Sequence, residues 1–172
     1  MTAYPTVPLR EVCESIEYGY TASSTTEPVG PRFLRITDIA QDRLDWESVP
    51  FCEIETTKHA KHRLRTGDIV IARTGATTGW AKFIKDPPDA VFASYLVRIH
   101  PAASVDARFV GLVVESRVYK DFIQQHMGGA AQPNANAQVL TSYNIPFPPL
   151  LVQRRIADIL SACANYQIID TS

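Results

Sequence analysis

The sequence has few cysteines, no long apolar run and almost no net charge, and each shortage argues against a class of proteins. Its three cysteines, Cys13, Cys52 and Cys163, are far apart and form no C-x-x-C pair, so neither a disulfide framework nor a zinc site is indicated. No apolar stretch approaches the roughly 20 residues of a membrane span, and the first residues lack the basic and apolar regions of a signal peptide. We therefore expect a cytoplasmic protein without a membrane partner.

The charges nearly cancel over the whole chain. Lys and Arg number 17 and Asp and Glu 18, which gives a formal net charge of -1 and no global reason to expect nucleic-acid binding. A site for a polyanion must therefore come from local clustering. The 172 residues are 45% hydrophobic, enough for one sizeable core. We expect one globular domain followed by a protruding helix.

Motifs of known catalytic sites are also missing. The sequence contains no G-x-S-x-G elbow, no H-E-x-x-H helix and no G-x-G-x-x-G turn. Pro88 and Asp89 are not followed by the Glu-x-Lys that completes a nuclease metal site. We predict a protein that is not an enzyme and that has no cofactor and no metal ion.

The hydrophobic pattern changes along the chain from strand-like to helix-like. Residues 20–31 are polar and turn-rich and predict a surface loop. Residues 106–127 have helical spacing, with Asp106 or Ser104 as a cap, and predict one long internal helix. Strands gathered before a helical last third favour a β-rich α+β domain. The predicted strands cover residues 32–39, 68–73, 80–85 and 90–100.

Residues 58–65 form the one basic cluster that we identify. Lys58, Lys61 and Arg63 lie within this segment and suit contacts with phosphates. A solvated surface with no ligand is the more common explanation for such a cluster, and it remains open here.

Three further segments carry side chains suited to base edges or phosphates. Gly75 and Gly79 permit a tight loop between two strands, whose donors are Arg73, Thr77 and Thr78. The loop after residue 19 offers Tyr20, Thr21 and Ser23, and a later polar stretch offers the amides of Gln132 and Asn134. An ordinary connecting loop would explain the first segment equally well, and it is the more common explanation for the other two.

The last segment predicts a rigid spacer and then a helix. Three prolines at residues 146–149 hold the backbone extended, so the helix leaves the domain in a defined direction, which argues against its folding back. Gln153, Arg154, Arg155 and Asp158 would form the polar face of this helix. The apolar stripe on the other face suits a second helix, including that of an identical chain. The stripe contains Val152, Ile156, Ile159, Leu160 and Cys163.

Three motifs occur together in a specific order. They are GDIVIARTG at residues 67–75, GAAQPNAN at residues 129–136 and IPFPPLLVQRRIADIL at residues 145–160. In this order and spacing they resemble specificity subunits of type I restriction-modification enzymes. The resemblance implies a DNA target recognition domain at residues 1–149 and the start of a coiled-coil spacer helix at residues 150–172.

The resemblance also implies function. A subunit of this family has no catalysis of its own; it reads double-stranded DNA and directs methyltransferase and endonuclease subunits to a split site. The side chains named above in the basic cluster and in the polar segments then become expected DNA contacts. Only one recognition domain is present, which leaves a half-subunit that dimerises, a fragment, or part of a fused enzyme. A protein adaptor that docks through its last helix is the alternative from another class.

Overall fold

Helices and strands are mixed along the chain in the computed structural model, which describes residues 4–127 and 134–169 and, in the last helix, side chains up to Cys163. Helices account for 34% and strands for 25% of the chain. The strands of the described part are β1 (Thr6–Pro8), β2 (Cys13–Tyr18), β3 (Arg32–Leu34), β4 (Ile69–Ala72), β5 (Ala81–Phe83), β6 (Ala90–Phe92), β7 (Leu96–Pro101) and β8 (Asn144–Pro146). The helices are a 3-10 turn at Leu9–Val12 and α1 (Ile36–Ile39), α2 (Thr56–His62), α3 (Ala107–Glu115), α4 (Arg117–His126), α5 (Ala137–Leu140) and α6 (Leu150–Ile169).

The main sheet is antiparallel, with the strand order β2-β7-β4-β5. All four residues of β4 are buried, which explains why this strand is a continuous apolar run. Successive side chains point to opposite faces, so Ile69 and Ile71 pack on one core while Val70 and Ala72 pack on another. Two smaller pairs complete the strands: β1 with β8, antiparallel, and β3 with β6, parallel.

The predicted strand at residues 90–100 is two strands. β6 pairs with β3, whereas β7 belongs to the main sheet. A turn separates them, in which the N–H of Leu96 donates to the carbonyl of Ala93. The predicted strand at 32–39 likewise ends at Leu34, because Asp38 accepts a hydrogen bond from the backbone N–H of Arg35 and caps α1.

The predicted single helix at residues 106–127 is also two helices. Asp106 caps α3 as expected, accepting hydrogen bonds from the N–H groups of Arg108 and Phe109. Ser116 is extended, with φ -66° and ψ 154°, and its hydroxyl accepts from the N–H of Tyr119 to start α4. The break turns α4 so that Tyr119 is fully buried, where its hydroxyl donates to the carbonyl of Leu140.

Helix α6 begins at Leu150, directly after the prolines, and packs against α3. Its contact side differs from the predicted apolar stripe, because Gln153 and Ala157 are the side chains that become fully buried. The amide of Gln153 accepts from the N–H of Asp106 and donates to the carbonyl of Pro148. Gln153, predicted to be on the polar face, therefore fastens the start of α6 to the domain, so the expectation that the helix stays off its own domain is wrong for its first turns.

Replacing Gln153 by Leu is expected to lower the free energy of unfolding by about 2 kcal/mol, because it leaves a partly buried N–H and a buried carbonyl without partners. Urea unfolding measures the change. Gln125 is exposed on α4 and provides the control, since Gln125→Leu should leave stability nearly unchanged. Equal stability of the two variants would contradict this role for Gln153.

Candidate nucleic-acid interface

Several of the loop residues that were predicted to contact DNA lie at one edge of the main sheet, where its strands begin or end. In the register of the sheet Tyr18 lies opposite Val97, and Ala72 lies opposite Leu96. The carboxyl ends of β2 and β4 and the amino ends of β7 and β5 therefore meet at this edge. We call it the loop edge.

Arg73 and Asn134 are brought together at the loop edge, although they are far apart in sequence. Nη2 of Arg73 donates to the side-chain oxygen of Asn134 at 3.1 Å. The guanidinium also lies 5.0 Å from the centre of the Tyr18 ring, and the hydroxyl of Tyr18 accepts from the N–H of Ala137. The cation is thus held between an aromatic face and an amide. Gln132, the other predicted amide, lies outside the described residues.

The loop between β4 and β5 is shaped by its glycines. Gly75 and Gly79 have positive φ angles of 76° and 88°, a conformation that other residues rarely adopt. Thr78 is fully buried in this loop and its hydroxyl donates to the carbonyl of Gly75 at 2.7 Å. Thr78, which was predicted to contact DNA, is therefore turned away from the surface in this structure, where its hydroxyl supports the turn. Thr77 is half-buried and remains a candidate.

The polar loop at residues 20–31 is fixed at its start and near its middle. The N–H of Tyr20 donates to the carbonyl of Phe92, and Thr25 exchanges two backbone hydrogen bonds with Phe51. A Cβ on Gly19 would lie 2.1 Å from the carbonyl oxygen of Ala93, so only glycine fits this approach. Thr21 and Ser23 are exposed on the loop, whereas Tyr20 is half-buried.

Helix α2 presents the basic cluster beside this loop. Lys58, Lys61 and Arg63 are all exposed at or near the helix. Asp89 partly offsets the charge, since it lies 3.4 Å from Nε of Arg63 and 2.8 Å from Nε2 of His59. Lys58 and Lys61 form no ion pair with the described residues.

His62 connects α2 to the polar loop. This side chain is buried, and its ring centre lies 5.6 Å from that of Tyr20 and 6.0 Å from that of Phe92. Its Nδ1 is 2.8 Å from the carbonyl oxygen of Lys58. No group of three or more potential metal ligands occurs in residues 4–127 and 134–163.

A buried network of charged side chains lies beneath α2, and it was not predicted from the sequence. Arg98 of β7 is 7% exposed, pairs with Glu17 and donates to the backbone carbonyls of Lys61 and Arg63. Asp68 is fully buried beside it and lies 2.7 Å from Nδ1 of His100; burial raises the pKa of this carboxyl. The sequence feature that could have indicated this network is the arginine at position 98, because it lies within an otherwise apolar strand. Arg98 holds the end of α2 against the sheet.

A cavity of about 910 Å³ opens beside this network. Lys61, Arg63, Arg65 and Arg98 contribute four cationic side chains to its walls, against two carboxylates, Glu17 and Asp86. The basic cluster therefore continues from the exposed side of α2 into a concave surface of net positive lining.

The predicted apolar stripe of α6 divides into two parts. Val152 and Ile156 are half-buried near the domain, whereas Ile159 is 55% and Leu160 46% exposed. Cys163 is exposed as well. No helix in the described part of the chain is long and apolar enough to cross a membrane.

A family model described as the type I restriction modification DNA specificity domain matches residues 2–171. The chain belongs to this family. The resemblance predicted from the three sequence motifs is confirmed. Among its relatives, the specificity subunit of the type I restriction enzyme MjaVIII from Methanocaldococcus jannaschii is 26% identical over 165 residues, 92% of this chain and 39% of the relative.

Solved structures of specificity subunits share the fold. The HsdS subunit from Thermoanaerobacter tengcongensis matches 95% of this chain with a TM-score of 0.67 at 21% identity, over 38% of its own length. The type I S subunit from M. genitalium matches 96% of this chain with a TM-score of 0.70 at 12% identity, over 40% of its own length. The mixed helix-and-strand fold with a C-terminal helix is confirmed. The specificity domain described here spans about two fifths of the length of the curated relatives it matches.

Proposed function

We propose that this specificity domain recognises one half of a split sequence in double-stranded DNA, and that methyltransferase and endonuclease subunits use that recognition to find their target. The observation that carries the proposal is the contact between His62 of α2 and Tyr20, which joins the basic helix to the polar loop in a domain of the DNA specificity family. One surface then offers cations for phosphates and polar side chains for bases.

The cationic and the polar side chains would contact different parts of the DNA. Lys58, Lys61 and Arg63 would contact phosphates, which positions a protein on DNA without reading its sequence. Thr21 and Ser23 would reach base edges, with Tyr20 between the two groups. Arg73 and Asn134 are hydrogen-bonded to each other before DNA arrives, and such preorganisation lowers the entropy lost on binding. We include Thr77 and Gln132 in the same proposal and leave Thr78 out.

Sequence selection from random duplex DNA tests the proposal. The 172-residue protein at low salt is expected to enrich one short sequence, and a fluorescent duplex carrying that sequence should be displaced poorly by unrelated duplex. A protein adaptor with inert loops would enrich nothing and would bind DNA only as its net charge allows. Failure to enrich any sequence would therefore favour the adaptor.

The chain alone should neither methylate nor cleave DNA, with or without S-adenosylmethionine and magnesium, because the catalytic motifs sought in the sequence are missing. Adding a methyltransferase subunit of the family should produce methylation at the selected sequence. Methylation or cleavage activity that copurifies with the chain to homogeneity would contradict a role limited to recognition.

We also propose that residues 150–172 continue the domain at residues 1–149 as a spacer helix that pairs with another helix. The partner helix would belong to a second recognition half, either in an identical chain or in a longer or fused protein. The exposed Ile159 and Leu160 support such pairing, since apolar side chains at this spacing suit a helix–helix seam.

A further inference from the structure

A second cavity lies within the polar loop itself. It has a volume of about 490 Å³, and its walls carry the hydroxyl side chains of residues 20–25 together with Glu27 and Glu53. Tyr20 borders this cavity and also contacts His62 of α2. The cavity therefore adjoins the basic helix that we propose to meet phosphates.

Backbone contacts join the two segments that form the walls of this cavity. Thr25 and Phe51 exchange backbone hydrogen bonds of 2.9 and 2.8 Å, which join the segment of Glu27 to that of Glu53. A Cβ on Gly30 would lie 2.3 Å from the carbonyl oxygen of Cys52, so the two segments touch at the backbone. A preformed cavity can hold its side chains in the fixed geometry that base recognition requires.

The two carboxylates are the unexpected feature of a surface proposed to bind DNA. Neither Glu27 nor Glu53 uses its carboxylate in a hydrogen bond or an ion pair with the side chains described up to residue 163, and both residues are exposed. Phosphates repel such groups. A carboxylate at a DNA interface is favoured where it accepts a hydrogen bond from a base, and cytosine N4 is the typical donor.

We infer that this cavity selects a C·G base pair, with the amino group of cytosine donating to Glu27, to Glu53 or to both. The inference rests on the proposed function and deepens it. Ionised carboxylates only accept hydrogen bonds, so acceptors on a base edge repel them. In the major groove guanine presents two acceptors, thymine an acceptor and a methyl group, and adenine an acceptor beside its donor, whereas cytosine presents its amino donor alone.

The hydroxyl groups of the cavity fit the same function. Thr21, Ser23 and Ser24 have no hydrogen bond of their hydroxyls to the rest of the described chain, and a hydroxyl can either donate or accept. They can therefore adapt to the bases beside the cytosine. The carboxylates would then select the base pair at one position of the target. The hydroxyls would accept several bases, or favour one of them, at the adjacent positions.

Sequence selection with the full chain and its isosteric variants tests the inference. The wild-type protein should enrich a sequence with an invariant C·G pair, and changing that pair should weaken binding about tenfold. The double variant Glu27→Gln/Glu53→Gln should lose this preference and accept adenine there, because an amide both donates and accepts. Each single variant identifies which carboxylate is responsible.

The control is Glu14→Gln, an exposed carboxylate on β2 outside the cavity, which should leave the selected sequence unchanged. A selected sequence without a C·G pair, or a double variant that keeps the wild-type sequence and discrimination, would overturn the inference while leaving DNA recognition intact. A wild-type protein that selects no sequence would overturn the proposed function as well, so the two failures are distinguishable.

Discussion

Alanine at Lys58, Lys61 and Arg63 should weaken duplex binding at low salt and flatten its dependence on salt. Each phosphate contact that is lost lowers the slope of log K against log salt by roughly 0.9, so the slope should fall by roughly 2 to 3 if all three side chains meet phosphates. The triple variant should therefore bind duplex DNA more than tenfold more weakly than the wild-type protein near 50 mM salt. Fluorescence anisotropy of a labelled duplex across a salt series measures both quantities.

The triple variant is expected to stay folded. The end of α2 is held by backbone carbonyls of residues 61 and 63, which accept hydrogen bonds from Arg98 and remain after the side chains are removed. Arg10 supplies the control, because this exposed cation lies beside the start of β2, at the opposite end of the strand from the loop edge. An unchanged slope in the triple variant, or an equal fall in Arg10→Ala, would remove α2 from the interface.

The carboxylate of Asp89 should act in the opposite direction. It pairs with Arg63 and His59, and so it offsets part of the charge that α2 presents. Asp89→Asn is therefore expected to raise duplex affinity modestly and to steepen the salt dependence. Reduced affinity would mean that Arg63 needs this ion pair to be positioned for DNA.

The sequence predicted those parts of the fold that local patterns encode. β-Branched residues 69–71 predicted β4, and Gly75 and Gly79 predicted a loop that needs positive φ angles. The capping role of Asp106 was also readable, since an acceptor just before a helical run satisfies the first N–H groups.

Features that depend on distant contacts were missed. The apolar pattern from residue 106 to residue 127 continues through Ser116, so periodicity alone could not reveal that the chain turns there to bury Tyr119. Gln153 appeared polar and exposed, yet it bonds to a backbone N–H that lies 47 residues earlier. Long-range hydrogen bonds of this kind leave no local signal.

In the candidate site, too, local sequence predicted the residue types but not how the fold arranges them. Residue type drew attention to Arg73 and Asn134 as candidates, but only the fold brings the two side chains within 3.1 Å of each other. Thr77 and Thr78 are identical in type and adjacent in sequence, and they differ in burial because the tight turn carries Thr78 inward. Composition could identify donors, whereas their accessibility depended on packing.

The exposed part of α6 offers an apolar surface to a second helix. Ile159 and Leu160 lie beyond the turns that Gln153 and Ala157 fasten to the domain, so they are free to contact a second helix. Pairing of two identical chains about a two-fold axis would make the proposed DNA target a split palindrome. The seam is small, so we expect a weak dimer that forms at high protein concentration.

Replacing Ile159 and Leu160 by Asp should convert that dimer to a monomer in sedimentation equilibrium, because a paired apolar seam cannot accommodate four carboxylates. Both positions are exposed in the single chain, so the far-ultraviolet circular dichroism should remain nearly unchanged. Ile156, half-buried beside the domain, is a poorer choice because its replacement would also disturb the packing of α6. Arg155→Asp changes the charge of the same helix at an exposed polar position and should preserve the dimer. A wild-type chain that is monomeric at high concentration would exclude self-pairing and leave a different helix as the partner of α6.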